Sequence, residues 1–61
     1  MNKYVVTFVV HHDSKNKENV SITVEAGSKK LASLRAMMEL RNNRPDCNDL
    51  FKTIKSIEEA A

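Results

Sequence analysis

Two histidines and an aspartate stand side by side at positions 11 to 13, and their side chains are the first in this chain that could do chemistry. Imidazole nitrogens and carboxylate oxygens bind zinc and transfer protons. Adjacent residues on a strand point to opposite faces, so His11 and His12 cannot share one ion, and the chain has no further histidine. The pattern predicts a polar strand end entering a turn, with no metal site and no cofactor.

Cys47 is the single cysteine and the other candidate for chemistry. A nucleophilic cysteine needs a base or positive surroundings that favour its thiolate. Cys47 stands between Asp46 and Asn48, and these surroundings disfavour the anion. The sequence also lacks a glycine-rich phosphate loop and a nucleophile elbow. We therefore expect a protein that is not an enzyme and has no small-molecule substrate.

The length of the chain sets the scale of the fold that must position these residues. Its 61 residues allow one small domain, residues 1–61, and a chain of this size buries only about 60% of its unfolded surface. A partner chain would add stability. The lone cysteine, the lack of a long apolar run and the early charge of Lys3 favour a reducing cytoplasm and no membrane span.

The first half of the chain predicts a β-hairpin. Residues 3–12 are rich in β-branched and aromatic side chains, residues 13–18 are polar and turn-forming, and residues 19–26 alternate strictly between apolar and polar. Because both faces of the first strand are largely apolar, we expect it to lie centrally. Its two faces carry Tyr4, Val6, Phe8 and Val10 on one side and Val5, Thr7, Val9 and His11 on the other.

A helix follows, and its ends are marked. Ser28 offers an N-cap, so the helix begins at Lys29 and runs to about Arg41. Asn42 and Asn43 can end it, and Pro45 favours an extended conformation for the residue before it. Residues 42–49 are therefore expected to form a loop.

The last segment is ambiguous. Leu50, Ile54 and Ile57 fit helical spacing, but the early lysines and late glutamates oppose a helix dipole, and a lone hairpin needs a third strand. We favour a strand over residues 51–57. The expected fold is α+β, with the order ββαβ, and a short C-terminal helix is the alternative.

Apolar residues occupy two sides of the helix. Leu31, Leu34, Met37 and Met38 fall within an arc of about 120° and are expected to pack on the sheet. A second set, Ala32, Ala36 and Leu40, is then left as a candidate contact surface. The predicted core consists of Val6, Phe8, Val10, Val20, Ile22, Val24, Leu31, Leu34 and Met38.

Charge adds a second feature to the helix. The net charge is +2 overall, yet residues 28–44 hold five basic residues against Glu39 alone. Lys29 and Lys30 stand in the first turn, where the helix dipole favours anions, so a bound phosphate or acidic side chain would offset their cost. Val5 and Val9 form a further apolar patch. The candidate partner-binding residues are Lys29, Lys30, Arg35, Ala36, Leu40, Val5 and Val9.

Two classes of function fit these surfaces. One is a non-catalytic interaction module or inhibitor that docks on a larger cytoplasmic protein, or on itself as a homodimer. The alternative is a nucleic-acid-binding protein that uses the basic helix, residues 28–44. Single-strand binders interleave aromatic and basic residues, whereas Tyr4, Phe8 and Phe51 here fall at expected core positions. The first class is therefore favoured.

The order of the segments also resembles a known group of proteins. With "YVVTFVV", "DSKNKEN", "VSITVEAGSKKLASLRAM" and "FKTIKSI", the chain resembles the compact strand-strand-helix-strand proteins that phages encode to disable host enzymes such as RNA polymerase. The resemblance implies a host-directed inhibitor that acts by binding. It assigns no functional residue.

Overall fold

A computed structural model describes residues 2–60 as three strands and one helix. The strands are β1 (Asn2–His11), β2 (Lys17–Ala26) and β3 (Phe51–Ala60), and the helix α1 spans Lys29–Asn43, followed by a short 3-10 turn at Pro45–Cys47. The predicted ββαβ order is confirmed, and the alternative of a C-terminal helix is wrong. Three elements exceed their predicted bounds, since β2 begins two residues earlier, α1 ends two residues later and β3 continues to Ala60. β1 begins and ends one residue earlier than the predicted 3–12.

The sheet has the order β2-β1-β3, with β1 antiparallel to both neighbours. β1 is central, as its two apolar faces predict. The chain leaves β2, crosses one face of the sheet as α1 and returns as β3 on the free side of β1. The other face of the sheet has no element packed on it among residues 2–60, and we call it the open face.

The turn between β1 and β2 is held by the side chain of Asp13. Its Oδ1 accepts hydrogen bonds from the backbone N–H groups of Lys15 and Asn16, both at 2.8 Å, and its Oδ2 accepts one from the Asn16 side chain at 2.7 Å. These bonds favour the charged carboxylate and lower the pKa of Asp13. The predicted role of this polar segment as a turn is confirmed.

A β-bulge in β3 explains the ambiguous spacing of the last segment. Thr7 pairs with Ser56 while the next residue, Phe8, pairs with Ile54, so Lys55 is the extra residue. Ile54 and Ile57 are three residues apart and would face opposite ways in a regular strand. The bulge places both on the side of the sheet that α1 covers.

The core lies between α1 and the covered face of the sheet. β1 contributes Tyr4, Val6 and Phe8, and Val10 is buried on the same face. Val24 is also buried, while Val20 and Ile22 are half-buried against the cluster. The strand residues of the predicted core therefore all face α1, as predicted.

The helical half of the predicted core is wrong. The residues of α1 that are buried are Ala32, Ala36 and Leu40, whereas Leu31, Leu34 and Met38 are exposed. The large rings of Tyr4 and Phe8 already fill the covered face of β1, and close packing leaves room mainly for small side chains above them. Ala36 and Leu40, predicted to contact a partner, are therefore inside the domain and are withdrawn from that role.

Arg44 joins the hairpin to the loop after α1. Its guanidinium donates two hydrogen bonds to Glu18, at 2.9 and 3.1 Å, and also binds Asp46. His12 Nε2 lies 2.8 Å from Glu18 Oε1. Chiefly through Arg44, the pKa of Glu18 falls to about 2.

The loop before β3 is closed by a second cation. Lys52 Nζ donates to the backbone carbonyls of Cys47, Asn48 and Leu50, at 2.8 to 3.3 Å. Cys47 itself is fully buried, and this burial raises the pKa of its thiol. The expectation that Cys47 is no thiolate agrees with this environment.

Candidate functional site

The main exposed apolar surface of α1 lies on the side of the helix turned away from the sheet. Leu34 and Met38 stand two residues before and two residues after the buried Ala36, which places each about 200° around the helix from it. Leu34 exposes 55% and Met38 64% of its surface. Leu31 and Met37 are also exposed, and we call the set Leu31, Leu34, Met37 and Met38 the outer face.

The outer face is exposed because a different stripe of α1, two alanines and one leucine, packs on the sheet. Ala32, Ala36 and Leu40 recur every four residues and form the narrow stripe that touches the sheet. A helix seated through alanines lies close to the sheet, so its larger apolar side chains are left outside. Four large apolar residues on one exposed helix surface exceed the scattered single ones that soluble proteins normally show.

Basic residues form a border along the seam of Leu31, Leu34 and Met38 within the outer face. At 100° per residue, Lys30 and Arg41 lie on one side of this seam, between Leu34 and Met37, and Arg35 lies on its other side. All three basic residues are exposed. Within residues 2–60 the ion pairs involve His12, Glu18, Arg44 and Asp46, so none of these three cations is neutralised by an acidic side chain. The border is therefore positively charged.

Arg35 is held in place by a backbone contact. Its guanidinium donates to the carbonyl oxygen of Glu25, at 2.9 Å, on the edge strand β2. Arg35, Met38 and Glu39 also line a shallow cleft between α1 and the end of β2. This contact holds one basic residue of the border beside the apolar surface.

The first turn of α1 has a purely basic pair, as the sequence predicts. Ser28 has extended backbone angles, and its hydroxyl accepts a hydrogen bond from the N–H of Leu31 at 3.3 Å. Lys29 and Lys30 are exposed, and the turn contains no acidic residue. The helix dipole is thus left uncompensated by side-chain charge.

The open face of the sheet carries the second predicted surface. Val5 and Val9 lie there and are half-buried by neighbouring side chains. Thr7 and Ser21 lie between them in the cross-strand rows, and their hydroxyls are 3.1 Å apart. Polar neighbours therefore interrupt the valines, which form a weaker apolar surface than the outer face of α1.

One end of the open face carries aromatic rings. Phe51 exposes 68% of its surface, which corrects the expectation that it lies in the core. The ring centroids of Phe51 and His11 are 5.2 Å apart, and the same cross-strand row contains Lys17. Tyr4 and Phe8 are buried as predicted.

The residues that could do chemistry remain separate. His11 contacts Phe51, His12 contacts Glu18, and Cys47 is buried at the end of the 3-10 turn. No cluster of three or more metal-binding side chains exists among residues 2–60.

Comparisons with protein-family models, with curated proteins and with solved structures find no match to this chain. The site must therefore be interpreted from its own geometry. In the part of the chain that the structure describes, α1 is too short and too polar to cross a membrane.

The outer face was not predicted as a surface, although its residues were all identified. Sequence spacing grouped Leu31, Leu34, Met37 and Met38 correctly, and it grouped Ala32, Ala36 and Leu40 correctly. Spacing alone did not decide which of the two sets packs on the sheet. The signal that could have decided this was the size of Tyr4 and Phe8, which demand small residues opposite them.

Proposed function

We propose that this protein is a non-catalytic interaction module that binds another protein through the outer face of α1. The observation that carries this proposal is the exposure of Leu34 and Met38 on a helix whose opposite side is already packed. Full burial of a leucine or methionine side chain contributes roughly 1.5–3 kcal/mol, and about half of each of these two side chains remains to be buried by a partner. An unpartnered surface of this kind favours a binding role.

The properties of methionine also suit an interaction surface. Met37 and Met38 are unbranched and polarisable, so they adapt to partners of differing shape. The basic border supplies orientation, because charges at the rim of an interface affect partner choice and association rate more than total affinity. On this proposal Lys30 and Arg35 belong to the binding surface, whereas Lys29 lies about 140° around the helix from Leu34 and outside it.

A host-directed inhibitor that acts in the cytoplasm is one form of this function. The phage-type resemblance of the segment order implies that role. The small size of the domain agrees with it, since a protein that acts by occupying a surface needs no active site. The lone cysteine favours the reducing compartment that such an inhibitor would share with its target.

Nucleic-acid binding is the second candidate, and the exposure of Phe51 favours it. Bases stack on exposed aromatic rings beside basic residues, and the row of Lys17, His11 and Phe51 provides such a group. However, this row lies on the open face, whereas the basic residues of α1 lie on the opposite side of the domain. A single strand would therefore use only one of the two features.

An affinity capture with matched variants tests the proposed function. The chain and its double variant Leu34→Ser/Met38→Ser are used to capture proteins from the cells that produce it, and captured proteins are identified by mass spectrometry. The control is Ser21→Ala/Thr23→Ala, which changes two exposed residues of the open face.

We expect the control to retain a captured protein and the Leu34→Ser/Met38→Ser variant to lose it. Equal capture by all three chains would contradict the role of the outer face. Capture of nucleic acid that is lost steeply with added salt would support the second candidate instead.

A further inference from the structure

The spacing of the outer face specifies the shape of its occupant. Leu31, Leu34 and Met38 follow one another at intervals of three and four residues. This is the spacing with which one helix packs along another, because successive side chains then lie in a single seam. Grooves that bind helices likewise contact residues at such intervals. A helix is therefore the occupant that matches this surface.

The basic residues stand where they would meet the flanks of that helix. Lys30 comes directly before Leu31, and Arg35 comes directly after Leu34, so they lie on the two sides of the seam. In paired helices these flanking positions carry the charges that set partner choice. Arg41 continues the seam by one further step of three residues and adds a cation at its end.

A second copy of this chain does not fit the surface. If two copies pair with their helices parallel, Lys30 of one copy faces Arg35 of the other. If the helices run antiparallel, the side of the seam that carries Arg35 in one copy meets the same side in the other copy. Arg35 then faces Arg35. Glu39 is the only acidic residue in α1, and it lies beyond Arg35 on the side towards the sheet. Both arrangements therefore place cations against cations.

We propose that the outer face binds an acidic amphipathic helix of a partner protein, and that its basic flanks prevent the same face from pairing with itself. This inference rests on the proposed function and adds the chemistry of the partner. The partner helix carries an apolar stripe that meets Leu31, Leu34 and Met38. Aspartate or glutamate residues border the stripe and meet Lys30, Arg35 and Arg41.

A charge-reversed copy of the chain provides a matched acidic helix for the test. The variant Lys30→Glu/Arg35→Glu/Arg41→Glu keeps the apolar seam and reverses its three basic neighbours. Its Arg35→Glu change also removes the hydrogen bond to the carbonyl of Glu25. The helix dipole favours the change at Lys30 and disfavours the change at Arg41, so the two effects on stability oppose each other. Circular dichroism confirms that the variant is folded.

The experiment measures mass by light scattering for the parent chain alone, the variant alone and their equimolar mixture. We expect the parent to be monomeric and the mixture to form a heterodimer. The mixed pair should be tighter than the parent pair by roughly tenfold or more, since repulsive contacts become attractive ones. Adding Leu34→Ser to either chain should abolish the heterodimer, and added salt should weaken it.

Two results would overturn the inference. A parent chain that dimerises by itself through Leu34 would make a second copy the occupant. A mixture that stays monomeric up to millimolar protein would show that acidic flanks do not select this face. In the second case, capture that still depends on Leu34 and Met38 would leave the proposed function standing and remove only the acidic helix.

Discussion

Ala36 is completely buried, whereas Leu34, two residues earlier on the same helix, exposes 55% of its surface. The larger side chain is thus the one left in solvent. The helix packs on the sheet through Ala32, Ala36 and Leu40, and this arrangement leaves Leu34 and its exposed neighbours available as the proposed binding surface.

Truncation of leucines on the two sides of α1 should change the stability of the fold by very different amounts. Leu40→Ala removes a buried side chain and should destabilise the fold by about 2–5 kcal/mol. Leu34→Ala changes an exposed position, and we expect an effect within about 0.5 kcal/mol. Urea unfolding of the two variants measures both values. A large loss of stability in Leu34→Ala, with little in Leu40→Ala, would show that the helix packs through its other side.

Acid should weaken the link between the hairpin and the loop after α1. The pKa of Glu18 falls from its ordinary value of 4.5 to about 2, chiefly through the hydrogen bonds from Arg44. A carboxyl whose pKa is lower in the folded state contributes stability above its unfolded pKa. That contribution is therefore complete above about pH 4.5 and is lost as the pH falls to about 2.

The melting temperatures of the parent and of Glu18→Gln, measured across this range, test the link. Their difference should be largest near neutral pH and shrink as the solution is acidified. The matched control is Glu58→Gln on the open face, where no ion pair forms within residues 2–60. A difference between parent and Glu18→Gln that is the same at pH 3 and pH 6 would contradict the assigned pKa.

Reversing the charge of the first turn of α1 should stabilise the free protein. Each change, Lys29→Glu or Lys30→Glu, replaces an unfavourable contact with the helix dipole by a favourable one, and dipole contacts of this kind are worth about 0.3–1 kcal/mol. Thermal melts at low and high salt measure the gain, which should shrink with salt. A double variant that melts below the parent at low salt would mean that the lysines support the fold. For the proposed binding role, Lys30→Glu should also weaken capture of the partner.

The thiol of Cys47 should be unreactive in the folded protein. Its burial raises its pKa and excludes reagents. We expect a disulfide reagent such as DTNB to react slowly in buffer and rapidly in urea. The control is Asn48→Cys in a Cys47→Ala background, which moves the thiol to an exposed neighbouring position. Equal rates for the two thiols in buffer would place Cys47 at the surface.

The sequence was sufficient to predict the order of the elements and the central position of β1. Alternation is a local property, so it identified the hairpin and the two faces of each strand. The bulge at Lys55 was not predictable in the same way. It gives Ile54 and Ile57 a spacing that also fits a helix. Only the pairing of this segment with β1 distinguishes a bulged strand from a helix.

The site could be predicted only in part, because α1 carries apolar residues on both sides. Lys30 and Arg35 were correctly expected at the surface. Ala36 and Leu40 were assigned to the surface because the arc of Leu31, Leu34, Met37 and Met38 is wide enough to face a core. The helix instead packs through Ala32, Ala36 and Leu40, and this choice is a tertiary property that helical spacing does not contain.

Site-specific photo-crosslinking tests the central claim most directly, namely that a partner protein occupies the outer face of α1. A photoreactive amino acid is placed at position 34 or 38 of α1, or at position 21 or 53 of the open face, and the chain is irradiated in the cells that produce it. We expect positions 34 and 38 to form a covalent product with one defined protein and positions 21 and 53 to form none. A product formed only from positions 21 and 53, or only with nucleic acid, would contradict this claim.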